Sequence, residues 1–242
     1  MILKNWVILL NIFAIADLHL SGNPPKKPMD IFHECWKNHW ERIKENWQEI
    51  VGFDDVVLIA GDTSWAMNVA DALVDLRAIH GLPGRKIIIK GNHDFWWQST
   101  AKMKRFMPDS LEFVHNSFVG IGADIAVCGS RGWNHPDDPS FSLSDERIYE
   151  REQQRILLSL NQAKNADYKQ IILLTHFPLL YKNRAIQGIV KFLPDYNVIH
   201  CVYGHLHGVA IENGLIGNMN GTEYHLVSCD AIDFKIKKIM EI

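Results

Sequence analysis

Residues 12–21 read IFAIADLHLS, and two readings of them exclude one another. In the first, Ala14-Ile15-Ala16 is an A-x-A cleavage site closing a short apolar region that follows Lys4, and the segment is a leader. In the second, the apolar run is a buried strand, and Asp17 and His19, just past its end, are metal ligands. Cleavage after Ala16 would remove the strand that positions those ligands, so the remainder of the chain decides between the two.

The pattern of that stretch recurs. Five apolar runs each end abruptly in Asp, His, or a Gly followed by polar residues: VILLNIFAIA before Asp17, DVVLIA before Gly61-Asp62, KIIIK before Gly91-Asn92-His93-Asp94, QIILLT before His176, and VIHCVY before Gly204-His205-Leu206-His207. Rich in Val and Ile without polar alternation, they read as strands covered on both faces. Helical patterns lie between them. Phe32, Trp36, Trp40, Ile43, Trp47 and Ile50 keep a 3/4 spacing over five turns, and Val69, Leu73, Leu76 and Ile79 do the same. SLSDERIYEREQQRILLSLNQAK opens with Ser142 or Ser144 as N-cap and with Asp145 and Glu146 in its first turn. Alternating strands and helices predict a layered α/β domain. After about residue 208, EYHLVSCD and FKIKKIMEI read as antiparallel strands, so the sheets should be mixed.

The chain of 242 residues is 47% hydrophobic, which suits one α/β domain over residues 1–242. A net charge of -3 lacks the basic footprint of a nucleic-acid binder. The four cysteines (Cys35, Cys128, Cys201, Cys229) are scattered, against a zinc ribbon or a disulfide framework, and suit a reducing, cytoplasmic compartment. Cys128 and Cys201 read as core residues. No apolar stretch is long enough to span a bilayer as a helix. SGNPPKKP (21–28) and HPDDPS (135–140) read as polar loops.

In open α/β sheets, ligands bind beyond the carboxyl ends of the strands, and there every run presents a metal-binding side chain. Asp17, His19, Asp62, Asn92, His176, His205 and His207 offer imidazoles, carboxylates and one amide oxygen. That donor set suits Mn²⁺ foremost, or Fe, Zn²⁺ or Co²⁺. It is too large for one tetrahedral ion and suits two divalent transition-metal ions sharing a carboxylate, with a metal-bound hydroxide attacking phosphorus in line. His93, beside Asn92, is placed to protonate the leaving alkoxide, and Asp94 to orient that imidazole and favour its protonated form.

These blocks, Asp-x-His (17–19), Gly-Asp (61–62), Gly-Asn-His-Asp (91–94), Thr-His (175–176) and Gly-His-x-His (204–207), occur in the order of the calcineurin-like metallophosphoesterases, and the chain resembles that family from about residue 8 to about residue 210. The resemblance implies a four-layer αββα sandwich with two mixed β-sheets and a dinuclear centre. It implies that Asp17, His19, Asp62 and His207 hold one ion and that Asp62, Asn92, His176 and His205 hold the other, with Asp62 bridging. His93 would contact the substrate phosphate. The sequence departs from many members in THFPLL, with a single Pro178 after the fourth block. The opening question is thereby answered: residues 6–16 read as the first central strand, with Met1 to Asn5 a flexible or extended start.

The expected function is hydrolysis of phosphomonoesters or phosphodiesters of small phosphorylated substrates. A nuclease is disfavoured by the acidic balance, and a lipid-precursor pyrophosphohydrolase by the lack of a long apolar capping segment. A non-catalytic interaction module would typically have lost ligands that this sequence retains. The Trp36/Trp40/Trp47 stripe reads as helix-to-sheet packing. Trp96 and Trp97 leave open which lines the site. Arg131 admits both a phosphate contact and a loop salt bridge; Trp133 adjoins it, and His135 is a further candidate. His33, His39, His80, His115, His200 and His225 read as surface or packing residues. Lys235, Lys237 and Lys238 read as a solvated strand edge.

Overall fold

The computed structural model describes residues 9–103, 105–138 and 141–242. Residues 6–8 of the expected first strand and 139–140 of the HPDDPS loop lie outside the described residues. The first half of the chain forms β1 (Asn11–Ile15), α1 (His39–Ile50), β2 (Val56–Ile59), α2 (Val69–His80), β3 (Arg85–Ile88), a short α3 (Thr100–Met103) and β4 (Leu111–Phe113). The second half forms β5 (Ser117–Ile121), β6 (Ile125–Gly129), α4 (Leu143–Asn165), β7 (Gln170–Leu174), β8 (Val198–Tyr203), β9 (Gly217–Met219), β10 (Thr222–Leu226) and β11 (Lys237–Glu241). One sheet has the order β11-β1-β2-β3-β4 and the other β5-β6-β7-β8-β10-β9.

The unbroken apolar strands pack on both faces because each face meets a different layer. Ile12, Ala14, Val56, Leu58 and Ile87 face Val127, Ile172, Leu174 and Val202 between the sheets. The alternate residues Phe13, Ile15, Val57, Ile59 and Ile88 face Ile43, Trp47, Leu76 and Ile79 of α1 and α2. On the far side, Cys128, Ile171, Leu173 and Cys201 face Ile156, Leu160 and Ala163 of α4, with Ile189 and Leu193 from a 3-10 helix at Gly188–Tyr196. Helices, sheet, sheet and helices make the expected αββα sandwich. Cys128 and Cys201 are core residues, as expected.

Two expectations need correction. The apolar spacing from Phe32 to Ile50 is not one helix: two 3-10 turns, Met29–Ile31 and Glu34–Trp36, precede α1. Asn38 stands in the left-handed region at φ 53°, which a continuous helix does not tolerate. β10 is not purely antiparallel; it runs parallel to β8 and antiparallel only to β9, because the β9–β10 hairpin returns the chain in the direction of β8. The three-residue β4 and β9 and the glycine-interrupted β5 (SFVGI) lie outside the five apolar runs. β11 is antiparallel to β1 and forms a sheet edge, with Lys238 paired to Glu241 at 2.5 Å.

Candidate metal centre

The C-terminal ends of β1, β2 and β3 in one sheet and of β7 and β8 in the other meet along one edge, and the seven expected ligands lie in the loops that follow them. Backbone hydrogen bonds lace these loops together. The Asp17 amide donates to the Gly61 carbonyl at 2.9 Å and the His19 amide to that of Asp62 at 3.0 Å. The Gly204 amide donates to the His176 carbonyl at 3.1 Å. Val227 joins the sheets, accepting from the Ala16 amide and donating to the Tyr203 carbonyl, both at 2.8 Å. Asp17, His19, Asp62 and His205 all have positive φ, between 46° and 72°. That conformation costs roughly 1–2 kcal/mol per residue, and the lacing holds it. A Cβ at Gly91 would collide with the Asp62 carboxylate and amide, so only glycine lets the third loop approach the second.

Side chains converge accordingly. Asp17 Oδ1 lies 3.4 Å from His207 Nε2 and 4.0 Å from both His19 Nε2 and His176 Nδ1. Asp62 Oδ2 lies 3.5 Å from His176 Nε2, 3.8 Å from His19 Nε2 and 4.0 Å from His93 Nε2. Asn92 Oδ1 stands 2.7 Å from His176 Nε2 and 3.1 Å from His205 Nδ1. Two groups, Asp17/His19/His207 and Asp17/Asp62/His176, bring one ligand atom from each member within 4.8 Å of the others. The carboxylate spacings exceed good hydrogen bonds, and Asp17 Oδ1 and His19 Nδ1 are buried with no hydrogen-bond partner among the described residues. Inward-facing lone pairs at these spacings fit a divalent cation. The donor mix of imidazole, carboxylate and amide fits a transition metal.

Second contacts fix the candidate ligands. His176 Nδ1 donates to the Ala60 carbonyl at 2.9 Å, leaving Nε2 toward Asn92 and Asp62. His207 Nδ1 donates to Asp230 Oδ1 at 2.8 Å, and Asp230 Oδ2 accepts from the Gly208 amide at 2.9 Å. Electrostatics tell the same story. Burial, then the charges of Asp17 and Asp94, push Asp62 up to about 9. Burial acts on Asp17 in the same sense, but the His207 charge and hydrogen bond outweigh it and hold it below the usual carboxylate range. Burial opposes a charged His207, yet Asp17 and Asp230 raise it to about 10. Burial drops His19 and His205 to about 3, which keeps both imidazoles neutral and able to ligate. Carboxylates that compete for protons in this way would be relieved by a bound cation.

A family model described as calcineurin-like phosphoesterase matches residues 10–209. The chain belongs to this family. It is thus a metal-dependent hydrolase of phosphoric esters. Among solved structures, the phosphoesterase is similar to a protein of unknown function, AQ665, from Aquifex aeolicus (17% identity, 95% of each chain covered, TM-score 0.50). It is also similar to TT1561 of Thermus thermophilus (12% identity, 96% and 98% covered, TM-score 0.53). A third similar structure is the calcineurin-like phosphoesterase YfkN from Bacillus subtilis (14% identity, 96% and 89% covered, TM-score 0.51). At these identities the likeness is one of fold. No curated protein matches.

The phosphoesterase gathers all seven expected ligands and His93 at one place. Asp94 is different. It is fully buried and accepts from the amides of Gly91, Thr63 and Ser64 and from Trp96 Nε1, at 2.7 to 3.1 Å. No described hydrogen bond joins it to the His93 ring, so the expectation that it orients that imidazole is corrected: four donors saturate the carboxylate and turn it into a clamp between the second and third loops. Nor is His93 held protonated; burial, then His176 and Lys27, lower it. Both Trp96 and Trp97 turn inward, while Phe95 is exposed. Arg131 makes the loop contact, with its guanidinium 3.9 Å from Glu152 and over the Trp133 ring, and its carbonyl accepts from the His176 and Phe177 amides. Trp133 Nε1 donates to Asp145. His135 is buried beside Asp137 and Gln187, outside the ligand cluster. Sequence reasoning missed Asp230, which sits in no motif. It also missed Trp36 and Trp65, whose rings lie against His19 at 6.0 and 4.7 Å. No helix among the described residues is long and apolar enough to cross a membrane.

Proposed function

We propose that this phosphoesterase hydrolyses phosphomonoesters or phosphodiesters of small substrates at a dinuclear centre. The observation that carries this reading is the position of Asp62 Oδ2, between His19 Nε2 at 3.8 Å and His176 Nε2 at 3.5 Å. One carboxylate oxygen thus faces a ligand of each expected ion. Asp17, His19, Asp62 and His207 would hold the first ion; Asp62, Asn92, His176 and His205 the second. Divalent ions bound there supply Lewis acidity toward a phosphoryl oxygen and a water of lowered pKa, and Mn²⁺ is the first choice, with Fe, Zn²⁺ or Co²⁺ as alternatives.

The chain's own residues orient the rest. His93 has 38% of its side chain exposed and turns Nε2 toward Asp62. It stands where its ring N–H can hydrogen-bond a phosphoryl oxygen; burial, His176 and Lys27 disfavour the imidazolium that a proton transfer to the departing alkoxide would need. Asp94 sets His93 indirectly, by clamping the loop on which it stands. Metal analysis with hydrolysis of para-nitrophenyl phosphate and its bis ester tests the reading. The expected result is two equivalents of transition metal per chain and turnover with Mn²⁺, both lost in Asp62→Ala. Metal-loaded protein that cleaves neither ester overturns it.

A further inference from the structure

Lys27 lies against Trp65, next to the candidate metal centre, with no acidic partner among the described residues. Its neighbour Lys26 lies 3.7 Å from Asp71, whereas no carboxylate among the described residues comes within ion-pair range of the Lys27 ammonium. That ammonium sits 3.2 Å over the Trp65 ring and 5.5 Å from Phe32. It is held there by a closed loop. The Lys27 amide donates to Ser21 Oγ, and the Ser21 hydroxyl donates back to the Lys27 carbonyl, both at 3.0 Å. Asp75 anchors this loop and the one bearing Trp65 together, accepting from the Gly22 amide at 2.8 Å and the Ser64 hydroxyl at 2.5 Å.

Trp65 is stacked on His19 with ring centroids 4.7 Å apart and planes 20° apart. Lys27 and His19 thus both lie against the same indole, which links the ammonium to the candidate ligand cluster. His93, 4.3 Å from Trp65, closes the side. A phosphoryl group held against Asp62, His19 and His93 is therefore linked to Lys27 through a single side chain, that of Trp65. Aromatic faces stabilise a cation only in part, and the ammonium keeps donors to offer an anion.

The geometry points to Lys27 as the receptor for a second anionic group, a phosphate or carboxylate carried on the alcohol portion of the substrate. This rests on the phosphoesterase reading and names its substrate class: phosphoesters with two anionic centres, the scissile one over Asp62 and the other beside Trp65. Three non-hydrolysable probes test it by calorimetry on Mn²⁺-loaded protein. Para-phenylene diphosphonate and para-carboxyphenylphosphonate carry the second anion; phenylphosphonate lacks it. Wild type should bind a doubly anionic probe about tenfold tighter than phenylphosphonate. Lys27→Met should abolish that ratio and Lys27→Arg keep it, and the better of the two doubly anionic probes identifies the anion. Wild type that binds none of the probes or does not discriminate, or a Lys27→Met protein weakened equally toward all three, overturns the inference. Hydrolysis of para-nitrophenyl phosphate by the same wild-type protein is scored separately. Turnover without discrimination sinks Lys27 alone, and discrimination without turnover sinks the phosphoesterase reading while leaving an anion receptor.

Discussion

Asp230 shows how a single side chain without a motif can set a ligand. With 10% of its side chain exposed, it receives the His207 Nδ1 proton at 2.8 Å and so leaves Nε2 facing Asp17. An imidazole whose outer nitrogen is held by a carboxylate is a fixed and more basic ligand. Asp230→Asn should therefore lower metal affinity about 10- to 100-fold by calorimetry, with the far-ultraviolet spectrum unchanged; undiminished affinity would show that His207 is oriented by something else. The seven candidate ligands were legible as residues because each follows a buried strand and is of a coordinating type. Asp230 and Lys27 were not, since an acid at the end of a short apolar segment and a lysine in a polar loop look like any others until His207 and Trp65 are placed beside them. Asp94 was misjudged for a related reason. Its adjacency to His93 in sequence suggested contact, but the peptide turns it inward to the Gly91, Thr63 and Ser64 amides.

At the scale of elements, the Ser142 cap of α4 was readable, whereas the other caps and the interruptions were hidden. Asn68 starts α2 by accepting from the Asp71 amide at 3.0 Å while its own amide group donates to the Asp71 carboxylate at 2.9 Å. Asn38 starts α1 with no side-chain hydrogen bond and with a left-handed backbone. Two asparagines at helix starts thus have different work, and Asn68→Ala should cost about 1 kcal/mol in urea denaturation, whereas Asn38→Gly should cost nothing because glycine adopts positive φ without strain. Equal losses at both would show that the caps act alike. The break before α1 has a consequence at the site. It lets Trp36 leave the helical stripe and present its ring to His19, His207 and Phe234 at 6.0, 5.6 and 5.1 Å. Apolar spacing alone cannot report this, because the same tryptophan satisfies a helix pattern in either case.

For the whole molecule, the pairing of sheets creates a titration that neither sheet would have by itself. His225 on β10 shares a hydrogen bond of 3.0 Å with His200 on β8. Burial, then Lys237 from β11 of the other sheet and His200, lower it to about 3 from its ordinary 6.5. Above pH 6.5 both folded and unfolded chains hold it neutral; below that only the unfolded chain takes up the proton, so its share of stability is lost as pH falls from about 6.5 toward 3. His225→Gln should consequently gain on wild type as the pH of thermal denaturation drops from about 6.5 to 4.5, and parallel curves would refute the coupling. By itself the sequence determined the five strands that precede the candidate ligands, their layered covering and the residue types at their ends, because apolar runs and the side chains that follow them are local properties of the chain. Only the tertiary structure decided which atoms meet: the Val227 junction between sheets, the clamp by Asp94, the orientation of His207 and the lone ammonium over Trp65. Those contacts join segments distant in sequence, and their partners are selected by the packing of two sheets against each other, which no local pattern encodes.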